Sequence, residues 1–226
     1  NYQKILRRQT GLQTFSRMAT DKLKILATIP SGFCYGLQIG TLEFFRRFPE
    51  SVESHFLLTR FGNGDMEKRL QALKIPYSYS WLGMFSRKLD WKNIKMSLHA
   101  LIKLPRLYYD YIRLVKKLNP DILFFANHHE LILLYPVLFF TKRKIVCHMH
   151  DPSPAIPFQK RTFRFYGKLV NRFMAITDSV RQRTIALGCP PEKIKTIRMS
   201  IAIAKESRQP RQHLFCEQAG WSSDVF

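Results

Sequence analysis

The sequence predicts an α/β protein in which helices flank a mostly parallel β-sheet. Short apolar runs rich in β-branched residues recur along the chain, and segments with helical periodicity separate them. This alternation is typical of βαβ units, in which a helix connects two parallel strands. The chain has 226 residues, 46% of them hydrophobic, which is enough to bury a sizeable core. The composition therefore disfavours a disordered chain.

The predicted elements follow one another in a regular order. Seven segments have the pattern of buried strands: 24–30, 55–59, 77–81, 121–126, 144–150, 173–177 and 195–201. Helical patterns occupy 37–48, 65–74, 130–140 and 162–172, and 90–118 forms one helix or two that break at Pro105. The second half of 90–118 predicts one buried face, with apolar residues at Leu104, Tyr108, Tyr111, Val115 and Leu118.

The helix after the sixth strand has the clearest start and stop signals. Ser179 and Gln182 have the spacing of a capping box, in which each side chain bonds the backbone of the other residue. Gly188 fits the position after the helix end, and two prolines then stop the helix. We therefore expect a helix capped at Ser179.

We expect three regions along the chain. Residues 1–20 form a basic extension without the apolar core of a signal peptide, residues 21–203 form a Rossmann-like domain, and residues 204–226 form a linker and the start of a truncated second domain. The most apolar stretch, 131–140, is about half the length that crosses a bilayer, so we expect a buried helix. The four cysteines form no CxxC pair. These features predict a cytoplasmic protein.

The charge of the chain is strongly positive. Lys and Arg number 37 against 16 Asp and Glu, and the cations concentrate in 87–117 and 142–172. An excess of this size attracts phosphates, anionic lipids or nucleic acids.

Candidate ligand contacts lie where the predicted strands end, because ligands of open parallel sheets bind outside the carboxyl ends of the strands. Gly32 and Gly36 follow the first strand in SGFCYGLQIG. Glycines at this place let a ligand approach the backbone N–H groups of the next helix, although a simple tight turn explains them equally well.

Polar residues also follow the fourth and fifth strands. Asn127, His128 and His129 end the fourth, and the fifth ends in KIVCHMHDPSP, with His148, His150 and Asp151. The HxHD spacing lacks further ligands for a tetrahedral metal site, so no metal is expected. His150 beside Asp151 suits hydrogen bonding to a hydroxyl or proton transfer near pH 7, or is an ordinary loop histidine.

Two further groups complete the candidates. Thr177 and Asp178 follow the sixth strand, with Arg181 one turn later; they are helix caps or contacts to an anionic ligand. A basic, aromatic segment fits a membrane interface, single-stranded bases or a solvated helix face. Its residues are Lys160, Arg161, Phe163, Arg164, Phe165, Tyr166 and Lys168.

The order of these motifs resembles one family. KILATIPSGFCYG, NPDILFFANHH, KIVCHMHDPSP and FMAITDSVRQRTIALGCPPEKIKTIRMSI are together similar to the N-terminal half of a GT-B glycosyltransferase of the group 1, or family 4, type. The last motif is the most specific. The resemblance covers about 24–226, and it implies that 21–203 is the acceptor-binding domain and that 204–226 leads to the donor-binding domain.

The resemblance implies sugar transfer from a nucleotide-diphosphate sugar to a glycan or lipid-linked acceptor, with retention of configuration and without a cofactor. By this resemblance His150 and Asp151 are catalytic. Donor or acceptor contacts are Gly32, Gly36, Asn127, His128, His129, Thr177, Asp178 and Arg181. The expected partners are the nucleotide sugar, the acceptor, the second domain and, from the basic aromatic segment, an anionic membrane surface on the cytoplasmic side.

Departures from the family pattern affect details of the donor site. Tyr35 stands in place of a glycine, Gln38 in place of a glutamate, and Met199-Ser200-Ile201-Ala202 in place of the usual Asn-Gly-Ile-Asp. A basic nucleic-acid-binding α/β domain is the alternative function, although no helix-turn-helix, RRM or KH pattern is present.

Overall fold

The described part of the chain forms one seven-stranded sheet. A computed structural model describes residues 22–31, 33–60, 63–82, 90–150 and 157–198. The elements in this part of the chain are β1 (Leu23–Ile29), α1 (Gly36–Arg46), β2 (Val52–Thr59), α2 (Asp65–Ala72), β3 (Tyr77–Ser80), α3 (Trp91–Leu118), β4 (Ile122–Phe125), α4 (His129–Phe139), β5 (Lys144–Met149), α5 (Pro157–Leu169), β6 (Arg172–Ala175), α6 (Asp178–Ala186), a short 3₁₀ turn (Pro191–Lys193) and β7 (Ile194–Thr196).

All pairs of neighbouring strands are parallel, in the order β3-β2-β1-β4-β5-β6-β7. The predicted α/β class is thereby confirmed, and each of the seven predicted strands is present. Apolar residues fill both faces of the central strands, which is what a parallel sheet covered on both sides requires. The predicted regions 1–20 and 204–226 lie outside the described residues, so the region boundaries stay predictions.

Two apolar layers enclose the sheet. On one face, α3, α4 and α5 pack over β1, β4 and β5, with Leu107, Leu134 and Phe163 among the buried residues. On the other face, α1 and α2 pack through residues such as Phe45 and Met66. Each layer takes alternate residues of the strands, because successive side chains of a strand point to opposite faces.

Helix α3 is continuous over 28 residues and contains Pro105 in its interior. Pro105 is exposed, so the hydrogen bond that a proline cannot make is lost on the solvent side. The predicted buried face is confirmed, since Tyr111 is fully buried and its four companions pack against the same core. Helix α4 is less buried than predicted, because Phe139 and Phe140 at its end are exposed.

The start of α6 differs from the predicted capping box. Thr177, not Ser179, is the N-cap, and its hydroxyl accepts a hydrogen bond from the backbone N–H of Val180 at 3.2 Å. The extended backbone after β6 ends at Thr177, so Ser179 already belongs to the first helical turn. The predicted end is confirmed: Gly188 has φ +101°, a conformation that favours glycine.

Within the described ranges, none of the helices combines the length and the apolar character that crossing a bilayer requires.

Candidate active site

The carboxyl ends of the strands form the edge where a ligand is expected. Strand order reverses beside β1, because β1 leads outward to β2 on one side while β4 continues the sheet on the other. In open α/β sheets the crevice at such a reversal is the usual binding site. The predicted residues after β1, β4, β5 and β6 therefore share one edge of the sheet.

Gly36 begins α1 on this edge. A methyl group added at Gly36 would meet no heavy atom within 4 Å, so the fold itself does not require a glycine there. The open space lies at a helix N-terminus, where unpaired N–H groups and the helix dipole favour an anion. The buried Gln38 side chain accepts a hydrogen bond from the N–H of Tyr35 at 3.2 Å and fixes the helix start. Gly32 lies outside the described residues.

The exposed aromatic pair before α1 was not singled out from the sequence. The rings of Phe33 and Tyr35 stack with centroids 5.9 Å apart, and both side chains are exposed. They directly precede α1, with Tyr35 at its N-cap. The sequence signal that could have identified this pair is the presence of two aromatic residues in the glycine-containing turn after the first strand.

His148 and His150 form a hydrogen-bonded pair at the end of β5. Nε2 of His150 lies 2.8 Å from Nδ1 of His148. His148 is buried beside the ring of Phe124, and burial, together with the nearby His150, lowers the pKa of His148 to about 3. His148 is therefore neutral at pH 7 and holds the half-buried His150 in position. Asp151 lies outside the described residues.

The residues after β4 lie on the opposite face of the sheet. His128 contacts Phe163 of α5, with ring centroids 5.2 Å apart, and stacks near His129 at 4.1 Å. Phe163 belongs to the layer of α3, α4 and α5, whereas His148 contacts Phe124 of the other layer. The two histidine clusters share one edge, as predicted, but the sheet separates their rings. Asn127 is half-buried and lies two residues after the end of β4.

Glu130 is a candidate that sequence reasoning left out. It lies in the first turn of α4 and is only 3% exposed, and its Oε2 has no hydrogen-bond partner among the described residues. Burial raises the pKa of Glu130 to about 8, although the backbone N–H groups of Glu130 and Asn127 oppose the shift. A carboxyl group held neutral at a ligand-binding edge can donate a proton or a hydrogen bond. Its place directly after the fourth strand was the available signal.

The residues after β6 have local partners in the structure. Thr177 caps α6, as described above. Asp178 accepts a hydrogen bond from the hydroxyl of Thr196 at 2.6 Å and pairs with Arg198 at 3.6 Å. The hydroxyl of Thr196 and the charge of Arg198 lower the pKa of Asp178. These contacts connect α6 to β7. Arg181 is half-buried one turn later.

The predicted membrane contact through α5 is wrong for two of its aromatic residues. Phe163 and Tyr166 are each 1% exposed and belong to the core, so neither can reach a lipid surface or stack on a base. Spaced three residues apart, they form the inner side of α5 that packs over the sheet. The remaining members, Lys160, Arg161, Arg164, Phe165 and Lys168, are exposed.

Among the described residues, no group of three or more His, Cys, Asp or Glu side chains is placed to hold a metal ion. The candidate site therefore consists of the open N-terminus of α1, the His148–His150 pair and, across the sheet, His128, His129 and Glu130.

Comparison with known proteins identifies the relatives of this chain. A family model described as Glycosyltransferase Family 4 matches residues 91–204, which is half of the 226 residues. The match includes α3 and every strand from β4 to β7. It therefore covers the His148–His150 pair, Glu130 and the start of α6. A comparison with curated protein sequences gives no significant match.

Solved structures show the same fold. Alr3699/HepE from Anabaena, in complex with UDP-glucose, is similar over 88% of this chain and 50% of that chain, with a TM-score of 0.57 and 16% identity. A glycosyltransferase from Rickettsia africae is similar over 90% of this chain and 51% of that chain, with a TM-score of 0.55 and 17% identity. UDP-GlcNAc 2-epimerase from Neisseria meningitidis, bound to UDP-GlcNAc, is similar over 89% of this chain and 54% of that chain, with a TM-score of 0.52 and 10% identity. The chain spans about half the length of each.

Proposed function

Because this chain belongs to Glycosyltransferase Family 4, we propose that it forms the acceptor-side half of an active site that transfers a sugar. The donor is a nucleotide-diphosphate sugar, and the acceptor is a glycan or a lipid-linked sugar. Transfer proceeds with retention of the anomeric configuration. The family match over residues 91–204 is the observation that carries this proposal, since the fold alone is shared with an epimerase.

His150 is the group that we assign to the reacting sugar. It lies at the carboxyl edge of the sheet, and the neutral His148 fixes its ring through the 2.8 Å hydrogen bond. An imidazole held in one position can hydrogen-bond a sugar hydroxyl or transfer a proton. His148 is a positioning residue, because burial excludes it from contact with the substrate.

The start of α1 is the place that we assign to the donor phosphates. The space beside Gly36 lets a phosphate approach the backbone N–H groups, and the helix dipole favours its negative charge. His148 points to the same face of the sheet as α1, because its ring contacts Phe124 of that layer. HepE, which has the same fold, is seen with UDP-glucose. The donor would thus reach the sugar-contacting histidine from the side of α1.

A second domain completes the site in this proposal. The chain spans about half of each solved structure that it resembles. We expect the remaining half to bind most of the nucleotide sugar and to close over the carboxyl edge of the sheet.

Label transfer by the full-length protein tests the proposed function. The protein is incubated with radiolabelled UDP-sugars and GDP-sugars and with lipid and glycan extracts as acceptors. We expect label from one donor to enter one extract, in a reaction that stops after heat denaturation of the enzyme. NMR of the product linkage then tests retention.

Two results would contradict the proposal. Conversion of a nucleotide sugar to its epimer without transfer would place the protein with the epimerases. Binding of RNA without turnover of any donor, weakening steeply with salt, would favour the nucleic-acid alternative.

A further inference from the structure

Helix α3 has two apolar sides, and only one of them is used by the core. The inner side, which includes Leu107 and Tyr111, is buried against the sheet. A second apolar stripe runs along the solvent side, where apolar residues recur after about one or two helical turns. This outer stripe consists of Trp91, Leu98, Leu101, Ile102, Tyr109 and Ile112, all exposed. At 3.6 residues per turn, the outer stripe is rotated by about a third of a turn around the helix axis from the inner side.

A row of cations borders the outer stripe. Lys95, Arg106, Arg113 and Lys117 are all exposed and lie in one row, because their separations are close to whole numbers of helical turns; Arg106 also pairs with Asp110. Two of them touch the stripe, since Lys95 lies 5.1 Å from the ring centroid of Trp91 and Arg106 lies 5.7 Å from that of Tyr109. An apolar stripe with a cationic border is the pattern of a helix that lies in a membrane interface.

A groove extends the apolar surface from α3 to α4. Its volume is about 780 Å³, and its walls are formed by Tyr108, Ile112 and Val115 of α3 and by Pro136, Val137 and Phe140 at the end of α4. Lys116, Lys142 and Arg143 line its polar side, and none of the lining residues is acidic. Phe139 and Phe140 beside it are 65% and 82% exposed. A contiguous exposed apolar surface of this kind usually marks an interaction site.

The charge of this surface selects among possible occupants. A second copy of the chain would bring the same cations against each other and be repelled. A nucleic acid would match the cations but would leave aliphatic residues such as Leu98 and Ile102 in water. An anionic bilayer matches both features, because its phosphates meet the cations and its acyl chains take up the apolar side chains.

We propose that the outer stripe of α3 and the α3–α4 groove form a docking surface for an anionic lipid bilayer. Trp91 and Tyr109 lie at the headgroup level, where aromatic rings with a polar atom are favoured. Helix α3 starts near the carboxyl edge of the sheet and runs to the opposite edge. Docking along this helix would therefore keep the candidate active site beside the lipid surface. The surface differs from the α5 segment that the sequence indicated.

Vesicle binding by the full-length protein tests this surface and needs neither donor nor acceptor, so it is independent of the proposed function. Sedimentation is measured with phosphatidylcholine vesicles and with vesicles that contain phosphatidylglycerol. The charge variant Lys95→Gln/Arg113→Gln/Lys117→Gln is compared with Lys160→Gln/Arg161→Gln/Lys168→Gln on α5, which removes the same number of charges. The apolar variant Ile102→Ser/Phe140→Ser is compared with Leu23→Ser/Leu73→Ser, which changes exposed residues elsewhere.

The wild type should bind the anionic vesicles more tightly than the neutral ones. The α3 charge variant and the apolar variant should each lose about tenfold or more in partition coefficient, while both control variants stay within about threefold. Thermal unfolding verifies that every variant is folded.

Three results would overturn the proposal. Equal losses in the α3 and α5 charge variants would mean general electrostatic attraction. An unchanged apolar variant would mean that no acyl chains are contacted. A wild-type protein that binds no vesicles would mean that another part of the protein, or a protein partner, covers the surface.

Discussion

At the scale of single residues, the sheet edge holds two buried titratable groups whose pKa values are shifted in opposite directions. His148 is held neutral by burial, which lowers its pKa to about 3, whereas burial holds Glu130 protonated by raising its pKa to about 8. Both side chains are therefore uncharged at pH 7. A low-polarity environment of this kind strengthens the hydrogen bonds that form in it.

Glu130 makes stability depend on pH in a predictable direction. Its pKa is raised in the folded protein from 4.5 to about 8, so the stability it contributes is fully present below pH 4.5 and is lost as the pH rises towards 8. Glu130→Gln cannot ionise. The free energy of unfolding of Glu130→Gln relative to wild type should therefore increase with pH, by at most about 1.4 kcal/mol per pH unit.

Urea unfolding of the full-length protein at pH 5, 6, 7 and 8 measures this difference. Glu50→Gln is the matched control, because it removes the same carboxyl group from an exposed position. A difference between Glu130→Gln and wild type that stays constant with pH, or that falls, would show that Glu130 is ionised in the folded protein.

At the scale of elements, helices α1 and α5 each contain a glycine, and the two glycines have different surroundings. Gly36 faces open space, whereas a methyl group at Gly167 would lie 2.7 Å from Cδ of Pro190. Gly167 thus lets α5 pack closely against the turn before β7, whereas no packing contact requires a glycine at position 36.

We predict opposite effects for alanine at these two positions. Gly36→Ala should leave the free energy of unfolding unchanged or raise it by up to about 1 kcal/mol, because alanine favours helix. It should nevertheless weaken nucleotide-sugar binding, which calorimetry on the full-length protein measures. Gly167→Ala should lower the free energy of unfolding by about 1–3 kcal/mol through overpacking. Unchanged donor binding in a folded Gly36→Ala protein would remove Gly36 from the site.

The sequence predicted the kind and order of the elements well, because a parallel sheet demands strongly apolar strands and each helix carries a clear periodicity. It predicted the buried side of α3 correctly but not which side of α5 faces the core. Helix α5 has aromatic residues on two sides, and only the structure shows that Phe163 and Tyr166 are inside while Phe165 is exposed. For α3 the sequence predicted the buried stripe, but the second apolar stripe, which is exposed, was not identified.

The site was predictable only in part for a similar reason. Position at a strand end correctly placed Gly36, His148, His150 and Thr177 on one edge. The 2.8 Å contact between the two histidines and the separation of His128 by the sheet depend on side-chain directions, which sequence spacing does not fix at the end of a strand. Burial of Glu130 depends on how α4 packs, and a charged residue beside three polar ones looked exposed.

At the scale of the whole molecule, the positive charge has a defined arrangement. Among the described elements, helices α3 and α5 together carry eleven Lys and Arg residues against one Asp. Cations on α3 surround an apolar surface, and those on α5 are exposed without one, since the apolar side of α5 is buried. In the proposal made above, α3 faces a lipid surface and the carboxyl edge of the sheet stays open for donor and acceptor.

The central claim is that His150 acts on the transferred sugar and that His148 positions it. The most direct test is kcat/KM for sugar transfer by the full-length protein and by three variants, His150→Ala, His148→Ala and His55→Ala. His55 is a half-buried histidine in the middle of β2, where it lies 2.9 Å from the hydroxyl of Ser78, and it serves as the control. We predict a loss of about 100-fold or more for His150→Ala, a smaller loss for His148→Ala and little change for His55→Ala. Equal rates for wild type and a folded His150→Ala protein would contradict this account.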